Sequence, residues 1–167
     1  MHELAITVIG PDRTGIVADV AEALAGVGAN LTDSTMTRLR GHFAMTLICT
    51  GPGVEAAEAA LAPLKDVTTT VRLVEPEGDA AAGGEPWVVS VHGADRLGIV
   101  SAITREVAAE GGNITDLTTR LGGSLYVLIA EVDLPAGAAD ELAERLAVAA
   151  AELGVEVTLR RAESEIL

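Results

Sequence analysis

Three aromatic side chains, Phe43, Trp87 and Tyr126, are all that this sequence contains. With so little ring area to bury, a core must be assembled from aliphatic residues. These are plentiful, since 49% of the chain is apolar. Cysteine is scarcer still: Cys49 stands alone, which excludes an internal disulfide and fits a reducing, cytoplasmic setting. Basic residues are few as well, with 11 Lys and Arg against 25 Asp and Glu for a formal charge of −14. Such a chain repels a phosphate backbone, so direct nucleic-acid binding is not expected. No apolar run approaches the length that spans a bilayer, and no basic segment leads an apolar one at the start, so no membrane partner is expected either. His2, His42 and His92 have no ligand spacing with one another or with Cys49, which argues against a metal site. No motif joins a Ser or Cys nucleophile to a His base. The expectation is a protein with no catalytic residue, no metal and no cofactor.

What the chain does have is a repeat. "GPDRTGIV" from Gly10 returns as "GADRLGIV" from Gly93, and at the same offset of 83 residues "GANLTD" from Gly28 meets "GGNITD" from Gly111. Asn30, Thr32 and Asp33 thus recur as Asn113, Thr115 and Asp116, Phe43 falls on Tyr126, and Cys49 falls on Val132. A period this long, present twice, marks a duplicated domain and not a solenoid. Between the copies "EPEGDAAAGGEP" has neither a helix nor a strand period and reads as a linker. The expected division is 1–75, a linker over 76–85, and 86–163.

Each copy predicts the order β-α-β-β-α-β. Leu4, Ile6 and Val8 alternate with more polar neighbours, as do Trp87, Val89 and Val91, so each copy opens with a strand. The period then becomes helical, with Ile16, Val17, Val20, Leu24 and Val27 in one stripe and Ile99, Val100, Ile103 and Val107 in the other. Gly28 and Gly111 stand where a glycine closes a helix. Two strands follow, turning near Arg40-Gly41 and at Gly122-Gly123, with Cys49 on an inward face as a small hydrophobe. A second helix carries Val54, Ala57, Leu61 and Leu64, or Leu142, Leu146, Ala149 and Leu153, before a last strand. Right-handed crossovers put both helices on one face of a four-stranded antiparallel sheet. The predicted class is α+β, two ferredoxin-like units. Each is small for an independent core, so the two are expected to pack side by side. Apolar residues on both faces of the strand from Leu125, among them Val127 and Ile129, suggest a cover for the helix-free side, with a second subunit as one candidate.

The repeated turn admits two readings. In one, Asp12 and Asp95 cap the helices that follow, Gly15 and Gly98 let the backbone approach a neighbour closely, and the duplication is structural only. In the other, amides at the helix N-terminus receive a small carboxylate, and Asn30 or Asn113 adds a side-chain amide. A Rossmann fingerprint does not fit, because the full Gly-x-Gly-x-x-Gly is missing and a hairpin follows instead of repeated parallel strands.

Asp-Arg-x-Gly-Ile-Val, with Gly-x-Asn-Leu/Ile-Thr-Asp some fifteen residues later in a unit of this order, resembles the ACT domain, a regulatory module that commonly senses amino acids. Two such units and little else resemble the glycine cleavage system transcriptional repressor family. The resemblance implies a non-enzymatic protein that binds a small amino acid, glycine or serine being the first candidates, between paired domains. It also implies a protein partner such as a transcription regulator. Its site would use Gly10, Pro11, Asp12, Arg13, Thr14 and Gly15 with Asn113, and Gly93, Ala94, Asp95, Arg96, Leu97 and Gly98 with Asn30. Two departures from the family pattern stand out: Thr14 and Leu97 replace a frequent Pro, and Gly10 and Gly93 stand where some binders carry a polar side chain. The Gly10 to Asp33 run also resembles the first segment of formyltetrahydrofolate deformylase, but a second copy here occupies the space of a catalytic domain.

Overall fold

The first strand of each half alternates inward and outward residues, and that alternation sets the architecture. In the computed structural model, which describes residues 2–75 and 83–163, β1 (His2–Pro11) buries Leu4, Ile6 and Val8 completely. The chain divides into two compact units, one within residues 1–78 and the other within 79–167. Residues 76–82 of the expected linker lie outside the described residues, and its last residue, Glu85, already belongs to a strand.

In the first unit β1 is followed by α1 (Ile16–Ala25), β2 (Asn30–Leu39), β3 (His42–Gly51), α2 (Val54–Leu61) and β4 (Thr68–Val74). The second repeats the order with β5 (Glu85–Ala94), α3 (Ile99–Ala109), β6 (Asn113–Gly122), β7 (Leu125–Leu134), α4 (Ala139–Leu153) and β8 (Val155–Arg161). The sheets run β2-β3-β1-β4 and β6-β7-β5-β8, antiparallel throughout. This is the α+β, ferredoxin-like arrangement that the sequence predicts.

Each unit has its own core between sheet and helices. In the first, Ile16, Val20 and Leu24 of α1 and Ala57 and Leu61 of α2 close over Phe43, Met45, Leu47 and Cys49 of β3. Leu64 lies past the end of α2 and packs at the edge of this core. In the second, α3 contributes Ile99, Ile103 and Val107, and α4 contributes Leu142, Leu146 and Ala149. The stripe expected on α1 was too broad: Val17 is exposed and Val27 lies beyond the helix. On β7, Val127 is half-buried and Ile129 exposed, so the helix-free face of that strand carries apolar surface.

Gly28 (φ 79°) and Gly111 (φ 75°) do end the first helix of each unit. Ala29 N–H donates to Leu24 O and Gly28 N–H to Ala25 O, both at 3.0 Å, while Gly112 N–H reaches Val107 O at 2.9 Å and Gly111 N–H reaches Ala108 O at 3.0 Å. This paired pattern needs a left-handed residue after the helix, and glycine adopts it without a Cβ penalty. The first hairpin turns at Arg40 (φ 48°) and Gly41 (φ 81°), as expected. Both residues are left-handed, which matches the twist of the flanking strands. In the second unit the turn is Gly123-Ser124, one residue later than expected.

The repeated Asn-x-Thr-Asp proves to be a β-bulge. Pairing with β3 skips from Leu31 to Asp33, and pairing with β7 skips from Ile114 to Asp116. The skipped threonines fasten the irregularity: Thr32 Oγ1 donates to Ile48 O and Thr115 Oγ1 to Glu131 O, each at 3.3 Å. A hydroxyl two positions after Asn30 or Asn113 thus holds the start of the second strand.

Phe43 is the ring of the first core and is wholly buried; Cys49, near the other end of β3, belongs to the same core, and burial pushes its thiol up from its ordinary value. Phe43→Ala should cost about 3–5 kcal/mol, read as a lower urea midpoint. Native Cys49 should also react with a thiol reagent faster in the variant than in the parent, because the cavity lies in the same core.

Candidate functional site

Gly10, Pro11, Asp12, Arg13, Thr14 and Gly15 join the end of β1 to α1, and Gly93, Ala94, Asp95, Arg96, Leu97 and Gly98 join β5 to α3. The glycines divide the work of the turn differently from the sequence expectation. A Cβ at Gly15 (φ 84°) would meet nothing within 4 Å, and at Gly98 (φ 88°) only Ser101 Oγ at 3.9 Å. These two glycines are required for a left-handed backbone and not for close approach. The close approach is at Gly10, where a Cβ would sit 2.6 Å from the Asp66 carbonyl oxygen, and at Gly93, where it would sit 3.0 Å from Val155 Cγ1. A polar side chain cannot occupy position 10 without moving the segment between α2 and β4.

The expected aspartate caps are not formed. The N-cap residues are Gly15 and Gly98, and neither α1 nor α3 has a side-chain cap hydrogen bond. Asp12 lies three residues too early to reach the first-turn amides. Its own N–H donates to Gly41 O at 2.9 Å, and its carboxylate faces Arg38 Nε at 3.6 Å. Asp12 ties the loop to the hairpin turn instead. The first-turn N–H groups of both helices are left to other acceptors, and the helix dipole adds partial positive charge where they cluster.

The two loops differ in charge. In the first turn of α1, Asp19 brings a carboxylate, held by Arg13 Nη2 at 2.8 Å. The first turn of α3 carries no acidic residue. There an open cavity of about 330 Å³ is lined by residues 95–101 together with Tyr126. Leu97 stands fully exposed at the rim. Tyr126 lines this cavity, and the sequence hinted at that place only through its alignment with Phe43, which is a core ring.

Asn30 opens β2 opposite Thr50, exposed. Asn113 opens β6 opposite Asp133 and lines a groove of about 510 Å³ with Ser101, Thr104, Arg105 and Gly112. That groove and the loop cavity of the same unit share only Ser101. Asn113 therefore does not enter the cavity of its own loop.

Both loop arginines are engaged within their own units. Arg13 Nε meets Asp66 Oδ2 at 2.8 Å, and Arg96 Nη1 donates to Leu153 O at 2.9 Å. The Arg13 guanidinium lowers the Asp66 carboxyl below its ordinary value, and Asp66 followed by Asp19 raises Arg13. Among the described residues no group of three or more His, Cys, Asp or Glu is placed to hold a metal, and no helix is long and apolar enough to cross a membrane.

The ACT domain family profile matches this chain twice, over residues 2–69 and 85–160. A UPF0237 protein of Listeria monocytogenes serotype 4b is 43% identical over 88 residues, covering 52% of this chain and 81% of the relative. A UPF0237 protein of Methanocaldococcus jannaschii is 37% identical over 75 residues, covering 44% of this chain and 83% of the relative. These relatives are the size of one unit. Among solved structures, an unknown protein from Galdieria sulphuraria superposes with a TM-score of 0.82 at 27% identity, over 97% of this chain and 99% of that one. A candidate glycine cleavage system transcriptional repressor superposes with a TM-score of 0.72 at 21% identity, over 98% of both chains. At that identity the likeness is one of fold.

Two outcomes follow from this geometry. Gly15→Asn should be milder than Gly15→Ala, because Asn visits the left-handed region more readily; the alanine variant should lose about 1–2 kcal/mol. At Gly10 both substitutions should be costly, since any Cβ meets the Asp66 carbonyl, and urea midpoints of the four variants decide. Asp66→Asn should reduce stability at neutral pH. A depressed folded-state value stabilises above the ordinary carboxyl range and loses that effect as pH falls through the depressed value. The melting-temperature gap between parent and Asp66→Asn should thus close on acidification; a gap constant from pH 7 to pH 2 contradicts the assignment.

Proposed function

The chain belongs to the ACT domain family, and from that premise we propose that it is a non-enzymatic regulatory protein that senses a small amino acid at its strand-to-helix loops. The observation that carries this reading is the cavity of about 330 Å³ that residues 95–101 and Tyr126 form at the N-terminus of α3, where no side chain caps the first-turn amides. An amino-acid carboxylate is the acceptor that such uncapped amides suit, since its charge also complements the helix dipole. Gly10 and Gly93 leave no side chain at the root of the loop, so main-chain groups take the ligand, with Asn30 and Asn113 supplying side-chain amides. Of the two loops, the second suits a carboxylate better. It borders the open cavity with Tyr126 and has no first-turn acid, whereas the first must accommodate Asp19.

Binding acts by favouring one arrangement of the protein, and a partner reads that arrangement. The charge of −14 directs this output to a protein, a transcription regulator being the candidate in keeping with the family resemblance. Glycine and serine are the ligands to try first, as small zwitterions with little side chain to place.

Calorimetric and thermal-shift titration with glycine, serine and the larger amino acids tests the reading. A ligand at one hundred times its Kd should stabilise by about 2.7 kcal/mol, and Gly98→Ala should weaken binding by distorting the α3 N-terminus. Asn113→Ala and Asn30→Ala should each reduce affinity with little loss of stability. No binding by any amino acid at ten millimolar overturns the proposal and leaves a ligand-free interaction scaffold.

A further inference from the structure

The loop arginines reach the same place in both units by different chemistry. Arg13 Nε and Nη2 pair with Asp66 and Asp19, each at 2.8 Å. Asp66 lies between α2 and β4, and its carbonyl is the group packed against Gly10. Arg96 finds no carboxylate at the matching position. Its Nη1 donates to Leu153 O at 2.9 Å and lies 3.5 Å from Glu152 O, the last carbonyls of α4. It also covers Gly154, the left-handed C-cap of that helix, where a Cβ would be 3.6 Å from Nη1. The next residue, Val155, is the one packed against Gly93. Each loop is therefore joined twice to the junction of the second helix and the last strand. The root glycine packs against it, and the arginine bonds to it. Carboxylates serve in one unit and main-chain carbonyls in the other, so what the two copies share is the destination.

We propose that Arg13 and Arg96 are positioning residues, each coupling the order of its loop to the order of the last strand of its own unit. Those strands, β4 and β8, are edges of their sheets. An edge strand presents main-chain groups that another chain can pair with, so a change at the loop is delivered to a surface suited to protein recognition. Guanidinium geometry matters here, because a planar fork can hold two acceptors while an ammonium acts as a point charge. The inference rests on the loop being the sensing element, but its test uses no ligand, so it can stand or fall separately.

Hydrogen exchange on the whole chain, followed by mass spectrometry, provides that test. In Arg96→Ala, exchange should rise about tenfold or more both at residues 94–101 and at 153–160, the scale expected on losing a charge-assisted hydrogen bond. The β6–β7 hairpin should keep its protection. In Arg13→Ala the paired rise should fall at residues 11–19 and 66–74, and Arg13→Lys, which retains the charge facing Asp66, should restore part of it. Asp66→Asn removes the carboxylate charge and leaves the arginine in place, and should loosen residues 11–19 from the far end even if an arginine variant folds poorly. A rise confined to the end of α4 would reduce Arg96 to a helix cap and overturn the coupling. A rise confined to the loop, or spread evenly over the unit, overturns it equally.

Discussion

Position 10 carries no side chain, and much of the first unit depends on that. The end of β1 lies so close to the entry of β4 that a Cβ there would be 2.6 Å from a main-chain oxygen. This contact fixes where the chain leaves the sheet, and so where the loop to α1 begins. Gly93 makes the same approach against Val155. Packing this close leaves no room for a methyl group at position 10, where the nearest obstructing atom is a main-chain carbonyl, and little at position 93, where it is the Val155 side chain. The loop beyond it is then closed by a glycine whose left-handed conformation, and not its size, is what the helix start demands.

The fold was legible because its signals are local. Alternation in Leu4, Ile6 and Val8, the helical stripe from Ile99 to Val107, and glycines at 28 and 111 each state a conformation within a few residues, and the duplication states each twice. The site was legible only in outline. Asp12 looked like a cap because Asp before a helix usually is one. The left-handed Gly15 displaces the N-cap by three residues, and nothing in the spacing announces it. Thr32 and Thr115 recur visibly, yet a bulge is a property of two paired strands and cannot be read from one. Asp66 is 53 residues from the arginine it holds, beyond any local pattern. Tyr126 was visible as the partner of Phe43 in the repeat, but one ring is buried in a core and the other lines a cavity, which depends on the loop above it.

The arginine of the repeated motif shows how sequence identity and contact identity separate. Arg13 works through ion pairs at the surface, which salt screens and acid removes. Arg96 works through carbonyls at a helix C-terminus, which do not titrate and where a cation also meets the negative end of the dipole. The same letter in the same motif therefore confers different sensitivity to solution conditions on the two halves of one chain.

Having both units on one polypeptide has a consequence of its own. In a protein the size of one unit, such as the UPF0237 relatives, every loop in every copy is encoded once, so a substitution changes all of them together. Here Thr14 and Leu97, Asp19 and Ala102, and Phe43 and Tyr126 occupy equivalent positions with different chemistry. Fusion releases each loop from serving as its own twin. A single chain can then hold two loops of different chemistry at a fixed ratio of one to one, which no assembly of identical single units can encode.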